Sequence, residues 1–271
     1  MQKHLNKKLP LVSVVMNCHN GEAFLRESIK SVISQTYKKW ELIFWDNNST
    51  DKTEKILKEF NDERIKYFKS DSYLKLYHAR NLAINQTKGD FVAFLDSDDL
   101  WDSKKLETQL KICEKNKNIK FIYSNFFILK QGSNKIFKRS NKKLPSGEIT
   151  QLLLNNYNIG LLTVMIKKDI FNHDKFDERY EIAGDFDFFI KLSQKFKFDC
   201  IQEPLATCRV HGSNLSLKRI DIYIKELEYW IDINHKKFIK LGYSLTRQKI
   251  FLLKLKIKSF FKNFIQSILF I

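Results

Sequence analysis

Three groups of polar side chains in this sequence follow runs of apolar residues and have the composition of ligand-binding segments. They are residues 17–21 (NCHNG) after LVSVVM, residues 46–48 (DNN) after WELIFW, and residues 96–99 (DSDD) after FVAFL. Carboxylates crowded at one point repel each other unless a cation neutralises them, and oxygen-rich sites suit Mg²⁺ or Mn²⁺. The Asp-Ser-Asp-Asp segment therefore predicts a divalent-metal site. The alternative is a capped turn before the next helix, where aspartate is common, and position alone does not separate the two.

The segments that carry these groups alternate between strand and helix patterns over the first half of the chain. Strand patterns occur at residues 11–16, 40–45, 64–68, 91–95 and 120–123, and helix patterns at 22–35, 51–60, 77–86 and 102–115. Strands separated by helices of this length pair in parallel through right-handed crossovers, which predicts a doubly wound α/β sheet. Ligands bind beyond the carboxyl ends of the strands in such a sheet, so we expect the three polar groups to meet in one crevice.

The second half of the chain has a less regular pattern. We predict a strand pair at residues 125–143 with a turn at 132–134, a buried strand at 158–166 (NIGLLTVMI) and a helix at 186–196. A soft boundary lies near residues 213–217, and beyond it the pattern is helical to the end.

The composition excludes several classes of protein. Hydrophobic residues make up 43% of the 271, which is enough for one large core and excludes a disordered or fibrous chain. The four cysteines form no Cys-x-x-Cys pair, so neither a zinc nor a disulfide framework is expected, and a reducing compartment fits. No G-x-G-x-x-G and no Walker loop is present, which excludes dinucleotide enzymes and P-loop kinases.

The C-terminal part of the chain is basic and amphipathic. The formal net charge is +17, and after Asp232 there are nine Lys or Arg and no acidic residue. Within residues 250–271, one helical stripe is apolar and the opposite side is polar: the stripe is Leu253, Ile257, Phe260, Phe261, Phe264, Ile265, Ile268 and Ile271, and Lys254, Lys258, Lys262 and Gln266 lie opposite. Such a helix either packs on the sheet or against residues 222–241, or lies on an anionic membrane surface. The absence of acidic residues favours the second alternative, in which the helix lies on the inner leaflet of the cell membrane.

The ends of the chain also bear on localisation. Residues 1–9 are polar and basic without an apolar stretch, so we expect no signal peptide. No window reaches the roughly 18 continuous apolar residues of a membrane span. We therefore expect a cytoplasmic protein that is peripheral at the inner face of the cell membrane.

Taken in order, the motifs resemble glycosyltransferase family 2, which has the GT-A fold. The resemblance is carried by LVSVVMNCHNGEAFLRESIKSVISQTYKKWELIFWDNNSTDKT, by ARN at 79–81, by GDFVAFLDSDDLW, and by Gly184–Asp185, Arg209, His211 and Asn214. It covers roughly residues 10–216. It implies a GT-A domain at 1–216, with a nucleotide-binding half at 10–101 and an acceptor or catalytic half at 102–216. Residues 217–271 then form a helical, basic C-terminal extension.

The resemblance implies an inverting, metal-dependent transfer of a sugar from a nucleotide-diphosphate donor. Asp98 corresponds to the metal-binding aspartate, and Asp96 to the one near the ribose and the metal. Asp46, with Asn17 and Asn20, is expected to hold the base and the ribose.

Two further residues concern the donor. Asn47 stands where some family members use a second Asp to bind uracil, and because an amide offers both a donor and an acceptor, a UDP-sugar is favoured without being assured. Arg80 is a candidate diphosphate contact, and its alternative is a surface helix arginine.

Asp185 matches the catalytic base of the family, which takes a proton from the acceptor hydroxyl. Many members read Glu-Asp where this chain has Gly184–Asp185, and from the residues alone Asp185 is a helix N-cap. Asp187 is expected to be structural.

Three other kinds of residue near these motifs have two interpretations. His211 resembles a late family histidine near the metal or the diphosphate, although a lone histidine is more often structural. Asp99 either caps a turn or touches the acceptor. The tryptophans are expected to be buried at strand ends rather than stacked on sugars, namely Trp45, Trp101 and Trp230.

Competing functions make different demands on the sequence. A sugar-nucleotide nucleotidyltransferase normally has a Gly-rich loop with Arg or Lys after the first strand, and residues 17–22 contain neither. A nucleic-acid-binding module would explain the charge, but no such motif is present and an acidic crevice without metal repels phosphates, so we expect no nucleic-acid partner. A catalytically dead relative is disfavoured because Asp96, Asp98 and Asp185 are intact. The expected acceptor is a saccharide or a lipid-linked sugar in bacterial surface polysaccharide or glycolipid assembly.

Overall fold

The computed structural model describes residues 9–133 and 135–269, of which residues 216, 217 and 261–269 are described by backbone only. The strands are β1 (Val12–Cys18), β2 (Trp40–Asp46), β3 (Ile65–Lys69), β4 (Phe91–Phe94), β5 (Leu100–Trp101), β6 (Phe121–Lys130), β7 (Lys135–Lys138), β8 (Met165–Lys167) and β9 (Phe198–Val210). The helices are α1 (Leu25–Ile33), α2 (Thr53–Lys58), α3 (Leu76–Asn85), α4 (Lys105–Lys115), α5 (Thr150–Asn155), α6 (Gly184–Ser193), α7 (Leu215–Lys218), α8 (Ile220–Lys240) and α9 (Thr246–Leu269). The signal-peptide prediction falls almost wholly on residues that lie outside this range.

The strands form one sheet in the order β3-β2-β1-β4-β8-β6-β9-β5, with β7 paired to β6. Pairing is parallel among β3, β2, β1 and β4, and antiparallel where β8 joins β4 to β6. The predicted α/β sheet flanked by helices is confirmed, and its second half is mixed rather than parallel. The parallel half brings the carboxyl ends of β1, β2 and β4 to the same edge.

Helices cover both faces of the sheet, which explains why β1, β2 and β4 are buried at every position. One core cluster joins the sheet to α1 and α4, and includes Val14, Leu25 and Leu106. The other joins the sheet to α3, α6 and α8, and includes Phe186 and Trp230. Since α8 contributes to this second core, the proposed boundary at residue 216 does not separate two hydrophobic cores, and the division into domain and extension stays a prediction.

Residues 158–166 differ from the predicted buried strand. Leu161–Thr163 form a 3₁₀ turn, and only Met165–Lys167 pair as a strand. The turn is closed by Thr163, whose Oγ1 and N–H both donate to the carbonyl of Gly160, at 2.6 and 2.9 Å. An apolar run shows burial without showing conformation, so periodicity could not distinguish a turn from a strand here.

The predicted C-terminal amphipathic helix is present as α9. It packs through the buried Gln248 and the half-buried Leu252 and Leu255, and Leu245, the residue just before the helix, is also buried. The described members of the predicted stripe point elsewhere: Leu253, Ile257 and Phe260 are 58%, 48% and 67% exposed. The stripe residues beyond 260 lie outside the described side chains. No helix within the described ranges is both long enough and apolar enough to cross a membrane.

Candidate active site

The three polar groups meet at the carboxyl edge of the parallel strands, as predicted. Cys18 is aligned with Asp46 across β1 and β2, and the N–H of Leu95 donates to the carbonyl of Val15 on the other side, at 3.1 Å. Two cavities of about 490 and 450 Å³ open at this edge. We name them the asparagine cavity and the acidic cavity. They share four lining residues and are therefore continuous: Asn17, Leu76, Ser213 and Leu215.

The asparagine cavity contains an unsatisfied amide. Asn17 is buried at the end of β1, and neither its Nδ2 nor its Oδ1 has a hydrogen-bond partner among the described residues. An unpaired buried amide costs free energy, which a ligand with a matching donor and acceptor would recover. His19 and Tyr73 form the aromatic side of the same cavity, with ring centroids 4.8 Å apart. Asn17 is thus placed to recognise a polar ligand.

Asn20 connects the loops that follow β1 and β2. Its backbone is left-handed (φ 56°), and its Oδ1 accepts the N–H of Thr50 at 2.8 Å. Asparagine tolerates this conformation better than most residues. Asn20 lines the asparagine cavity, but its side-chain oxygen is used in holding the two loops together.

Asp46 and Asn47 are largely occupied by contacts within the protein. Asp46 is fully buried, and its carboxylate accepts the N–H of Ser49 at 2.7 Å and the hydroxyl of Tyr67 at 2.9 Å. The amide of Asn47 pairs with both backbone groups of Leu74, accepting its N–H at 3.0 Å and donating to its carbonyl at 2.8 Å. Asn47 lines the asparagine cavity, whereas Asp46 is not part of the lining of either cavity, and direct nucleotide contacts by the two side chains stay predictions.

Asp98 lines the acidic cavity. Its Oδ2 lies 3.0 Å from Nε2 of His211 and 3.1 Å from Nδ2 of Asn214. Asp96 instead faces Arg80, whose Nη2 donates to its Oδ1 at 3.0 Å. Within the described part of the chain, no three His, Cys, Asp or Glu side chains form a ready metal cage.

Arg80 is buried and lines the acidic cavity, which rules out the alternative of a surface arginine. Its guanidinium carbon lies 5.3 and 5.7 Å from the ring centroids of Tyr77 and Phe176. A buried guanidinium facing a cavity can hold an anion.

Asp99 is a buried carboxylate whose Oδ1 accepts the N–H of Arg209 at 2.8 Å. Burial raises the pKa of Asp99 well above its usual value, and the negative charges of Asp98 and Asp96 raise it further. Burial also raises the pKa of Asp96, against the opposing effect of Arg80. The segment therefore carries the like-charge crowding that its sequence indicated.

Arg209 has a role that the sequence did not reveal. Its Nε donates to the carbonyl of Asp98 at 3.0 Å, and its Nη2 contacts Glu27 of α1 at 2.5 Å. Its guanidinium also lies 4.5 Å from the ring centroid of Phe24, which in turn packs on His211. Arg209 therefore fixes the loop that presents Asp98. The sequence indicated Arg209 only as a charged residue two positions before His211, in a segment that carries the family resemblance.

Asp185 lies in the first turn of α6 and lines the acidic cavity. The N-cap position belongs to Ala183, so Asp185 is not the N-cap that its sequence context suggested. Its Oδ1 accepts the N–H of Phe186 at 2.7 Å and the hydroxyl of Tyr77 at 3.4 Å. Burial raises the pKa of Asp185 to about 6, a value suited to a general base near neutral pH.

The remaining candidates are structural. Asp187 is buried and accepts the indole N–H of Trp230 at 2.9 Å, as expected of a structural carboxylate. Trp45 and Trp101 are buried in the sheet, and Trp230 is buried in α8 rather than at a strand end. The indole of Trp101 donates to the carbonyl of Leu162 at 2.8 Å.

Comparisons with known proteins agree with this architecture. Residues 13–173 match the model of glycosyl transferase family 2. The chain is 40% identical over 163 residues to the UDP-Glc:alpha-D-GlcNAc-diphosphoundecaprenol beta-1,3-glucosyltransferase WfgD of Escherichia coli, across 60% of this chain and 62% of that protein.

Solved structures show the same fold at low sequence identity. S. aureus TarS 1–349 in complex with UDP-GlcNAc matches with a TM-score of 0.66 and 16% identity, over 81% of this chain and 66% of that one. The mannosyltransferase PcManGT from Pyrobaculum calidifontis, in complex with GDP-Man and Mn²⁺, matches with a TM-score of 0.61 and 14% identity, over 83% and 65%. The chain thus spans about two thirds of the length of these proteins or slightly less.

Proposed function

This chain belongs to glycosyltransferase family 2, and we propose that it transfers a sugar from a nucleotide-diphosphate donor to an acceptor hydroxyl, with inversion and with a divalent metal bound. The main support is that Asp98, Arg80 and Asp185 line one cavity continuous with that of Asn17. A carboxylate for a cation, a cation for phosphate and a partly buried carboxylate for a proton are the groups that this reaction needs.

The side chains at this site fit a divalent cation that is held jointly by the protein and the nucleotide sugar. Asp98 supplies a carboxylate and His211 an imidazole nitrogen, and Asp96 can contribute if it leaves Arg80. Mg²⁺ and similar ions in nucleotide sites commonly take one or two carboxylates and fill the other positions with phosphate oxygens and water, so no three-residue cage is required. When bound, the cation would act as a Lewis acid that neutralises charge on the departing diphosphate.

The donor nucleotide is assigned to the asparagine cavity. The free amide of Asn17 offers a donor and an acceptor to a base or ribose, and Asn20 and Asn47 line the same space. Arg80, which lines the acidic cavity together with Asp185, is the candidate contact for the diphosphate. A UDP-sugar is favoured, since the E. coli relative WfgD is a UDP-Glc glucosyltransferase and TarS binds UDP-GlcNAc, whereas PcManGT binds GDP-Man.

Asp185 is assigned as the base. Its carboxylate takes the proton of the acceptor hydroxyl while that oxygen attacks the anomeric carbon from the face opposite the nucleotide. One displacement inverts the anomeric configuration, so no protein nucleophile is needed. Tyr77 keeps its own proton, because burial raises its pKa well above the usual value.

The acceptor is proposed to be a saccharide or a lipid-linked sugar, in bacterial polysaccharide or glycolipid assembly. The name of the E. coli relative specifies a diphosphoundecaprenol acceptor. In this chain, the exposed stripe of Leu253, Ile257 and Phe260 on α9 is flanked by lysines, and the helix contains no acidic residue. We propose that this stripe lies on the anionic inner leaflet of the cell membrane, so that the protein is cytoplasmic and peripheral.

A donor screen tests the proposed function. Thermal unfolding is followed with UDP-, GDP-, dTDP- and CMP-sugars, each with and without Mn²⁺, and release of the free nucleotide is then measured with saccharide and lipid-linked acceptors. We expect one class of nucleotide sugar to stabilise the protein only when Mn²⁺ is present. Formation of pyrophosphate from a sugar phosphate and a nucleoside triphosphate would instead identify a nucleotidyltransferase. Stabilisation by none of the donors would overturn the proposal.

A further inference from the structure

The segment just before Asp185 is held by a side chain from the C-terminal extension. Glu226 of α8 accepts three consecutive backbone N–H groups, those of Glu181, Ile182 and Ala183, at 2.5, 2.9 and 2.8 Å. These residues lead directly into α6, where Asp185 is the second residue. The three N–H groups belong to a loop and to the N-cap residue of α6, and backbone N–H groups at these positions have no partner within a helix.

A carboxylate suits this position for two physical reasons. Hydrogen bonds from N–H groups to a charged acceptor are stronger than those to a neutral one. The amino-terminal end of a helix also favours negative charge. Glu226 therefore fixes the position and direction of the backbone from which Asp185 projects.

The opposite side of the same segment is held by α3. The hydroxyl of Tyr77 donates to the carbonyl of Ile182 at 2.9 Å. The segment is thus bonded through its N–H groups to α8 and through a carbonyl to α3, leaving its backbone little freedom to rotate.

One turn further along α8, Trp230 makes a second connection to the start of α6. Its indole donates to Asp187 at 2.9 Å, and its ring lies 4.8 Å from that of Phe186, centroid to centroid. Residues 226 and 230 lie on the same face of α8, because four residues make about one helical turn. Two side chains of one helix face therefore hold the residues on both sides of Asp185.

We propose that Glu226 is a positioning residue for the base, so that α8 of the C-terminal extension takes part in the transfer reaction. This inference rests on the proposed function of Asp185. It assigns to residues outside the matched family segment, 13–173, a role in placing the carboxylate that removes the acceptor proton.

The test is Glu226→Gln, with Glu228→Gln as the matched control. Glutamine keeps one acceptor oxygen but brings an NH₂ group toward the N–H donors, which repels them. Glu228 lies on the same helix and forms an exposed ion pair with Lys256 instead. The full-length protein is used, and kcat, the KM for each substrate and the Kd for the donor are measured.

We expect Glu226→Gln to lower kcat about 10²-fold, since a misplacement on the order of 1 Å has that effect, while the Kd for the donor stays unchanged. Glu228→Gln should retain the wild-type kcat. A loosened segment also buries Asp185 less, so the acid limb of the pH profile should move below the value of about 6 that burial produces. The titratable and charged groups that face Asp185 are Tyr77 and Arg80 of α3, Asp96 after β4, Tyr157 after α5 and Tyr223 of α8.

A second variant keeps the inference falsifiable if Glu226→Gln does not fold. Glu226→Asp retains the charge on a shorter side chain, and we expect an intermediate kcat with normal donor affinity. A wild-type kcat and pH profile in a folded variant of either kind would overturn the positioning role. If the wild-type protein itself transfers no sugar with any donor, the proposed function fails instead, so the two failures are distinguishable.

Discussion

The hydroxyl of Tyr77 reaches within 3.4 Å of Oδ1 of Asp185 because the residue between the ring and the carboxylate is glycine. A Cβ atom at Gly184 would lie 2.5 Å from two carbons of the Tyr77 ring. The ring therefore fills the space that a side chain would need. This contact gives a physical reason for glycine at a position where many family members have glutamate.

We expect Gly184→Ala to lower both stability and activity. Overpacking a closely packed site costs about 1–3 kcal/mol, and relief of the clash must move either Tyr77 or the first turn of α6. Urea unfolding measures the first effect and kcat the second. Gly212→Ala is the stability control, because a Cβ atom there meets nothing within 4 Å. Equal stability of the two variants would contradict the contact as described.

The rate of transfer should depend on the ionisation of Asp185. A base must be ionised, and burial raises the pKa of this carboxyl to about 6 in the ligand-free protein, so kcat/KM for the acceptor should fall as the pH is lowered through that value. At neutral pH the carboxylate is ionised and kcat/KM should be near its plateau. The profile is measured at limiting acceptor, with donor and Mn²⁺ saturating.

The variant Asp185→Asn tests whether the fall in rate at low pH comes from Asp185. Loss of a general base typically lowers the rate by about 10²–10⁴-fold, and the residual activity should lose its acid limb. Donor binding should persist, since the proposed role of Asp185 is toward the acceptor hydroxyl. Transfer at the normal rate would show that another group removes the proton.

Asp98→Ala should abolish the metal-dependent part of donor binding. Ligand at 100 times its Kd stabilises a folded protein by about 2.7 kcal/mol, and the variant should lose this gain in the presence of Mn²⁺. Asp169→Ala, which removes only a surface ion pair with Lys120, serves as the control. Unchanged Mn²⁺-dependent stabilisation in Asp98→Ala would remove this residue from the metal site.

The membrane proposal predicts the behaviour of a triple variant, Leu253→Ser with Ile257→Ser and Phe260→Ser. Each apolar side chain that enters the interface contributes about 1.5–3 kcal/mol, so sedimentation with anionic vesicles should be largely lost. Ile136→Ser is the control, because Ile136 is equally apolar and 61% exposed but lies on β7. Binding of the wild type should also weaken with salt, since the lysines contribute electrostatically. Equal sedimentation of the triple variant would contradict the proposal.

The parts of the fold that could be predicted from the sequence are those whose residue pattern has a single physical cause. β1, β2 and β4 are buried on both faces, so their apolar runs and polar ends were visible in the chain. β9 was missed because polar residues and Pro204 interrupt its pattern, and its pairing with β6 shifts register there.

The candidate site likewise contains residues that could be predicted from the sequence and residues that could not. Strand ends brought Asn17, Asp96 and Asp98 together as expected. The role of Glu226 depends on a contact with residues 43 to 45 positions away, and a glutamate within a helix pattern carries no sign of it. The hydrogen bonds between Asn47 and Leu74 are likewise loop contacts, which the periodicity of the sequence does not indicate.

The pairing of Asp98 with His211 spans 113 residues of chain, and Glu226 lies further on still. During synthesis, β1 to β4 leave the ribosome well before His211, which the proposed function places at the metal, and Glu226, which we propose positions the base. Under that proposal, a prematurely terminated chain that lacks these two residues would not consume activated sugar. Catalytic competence would then require the start of α8 as well as the strands of the first half.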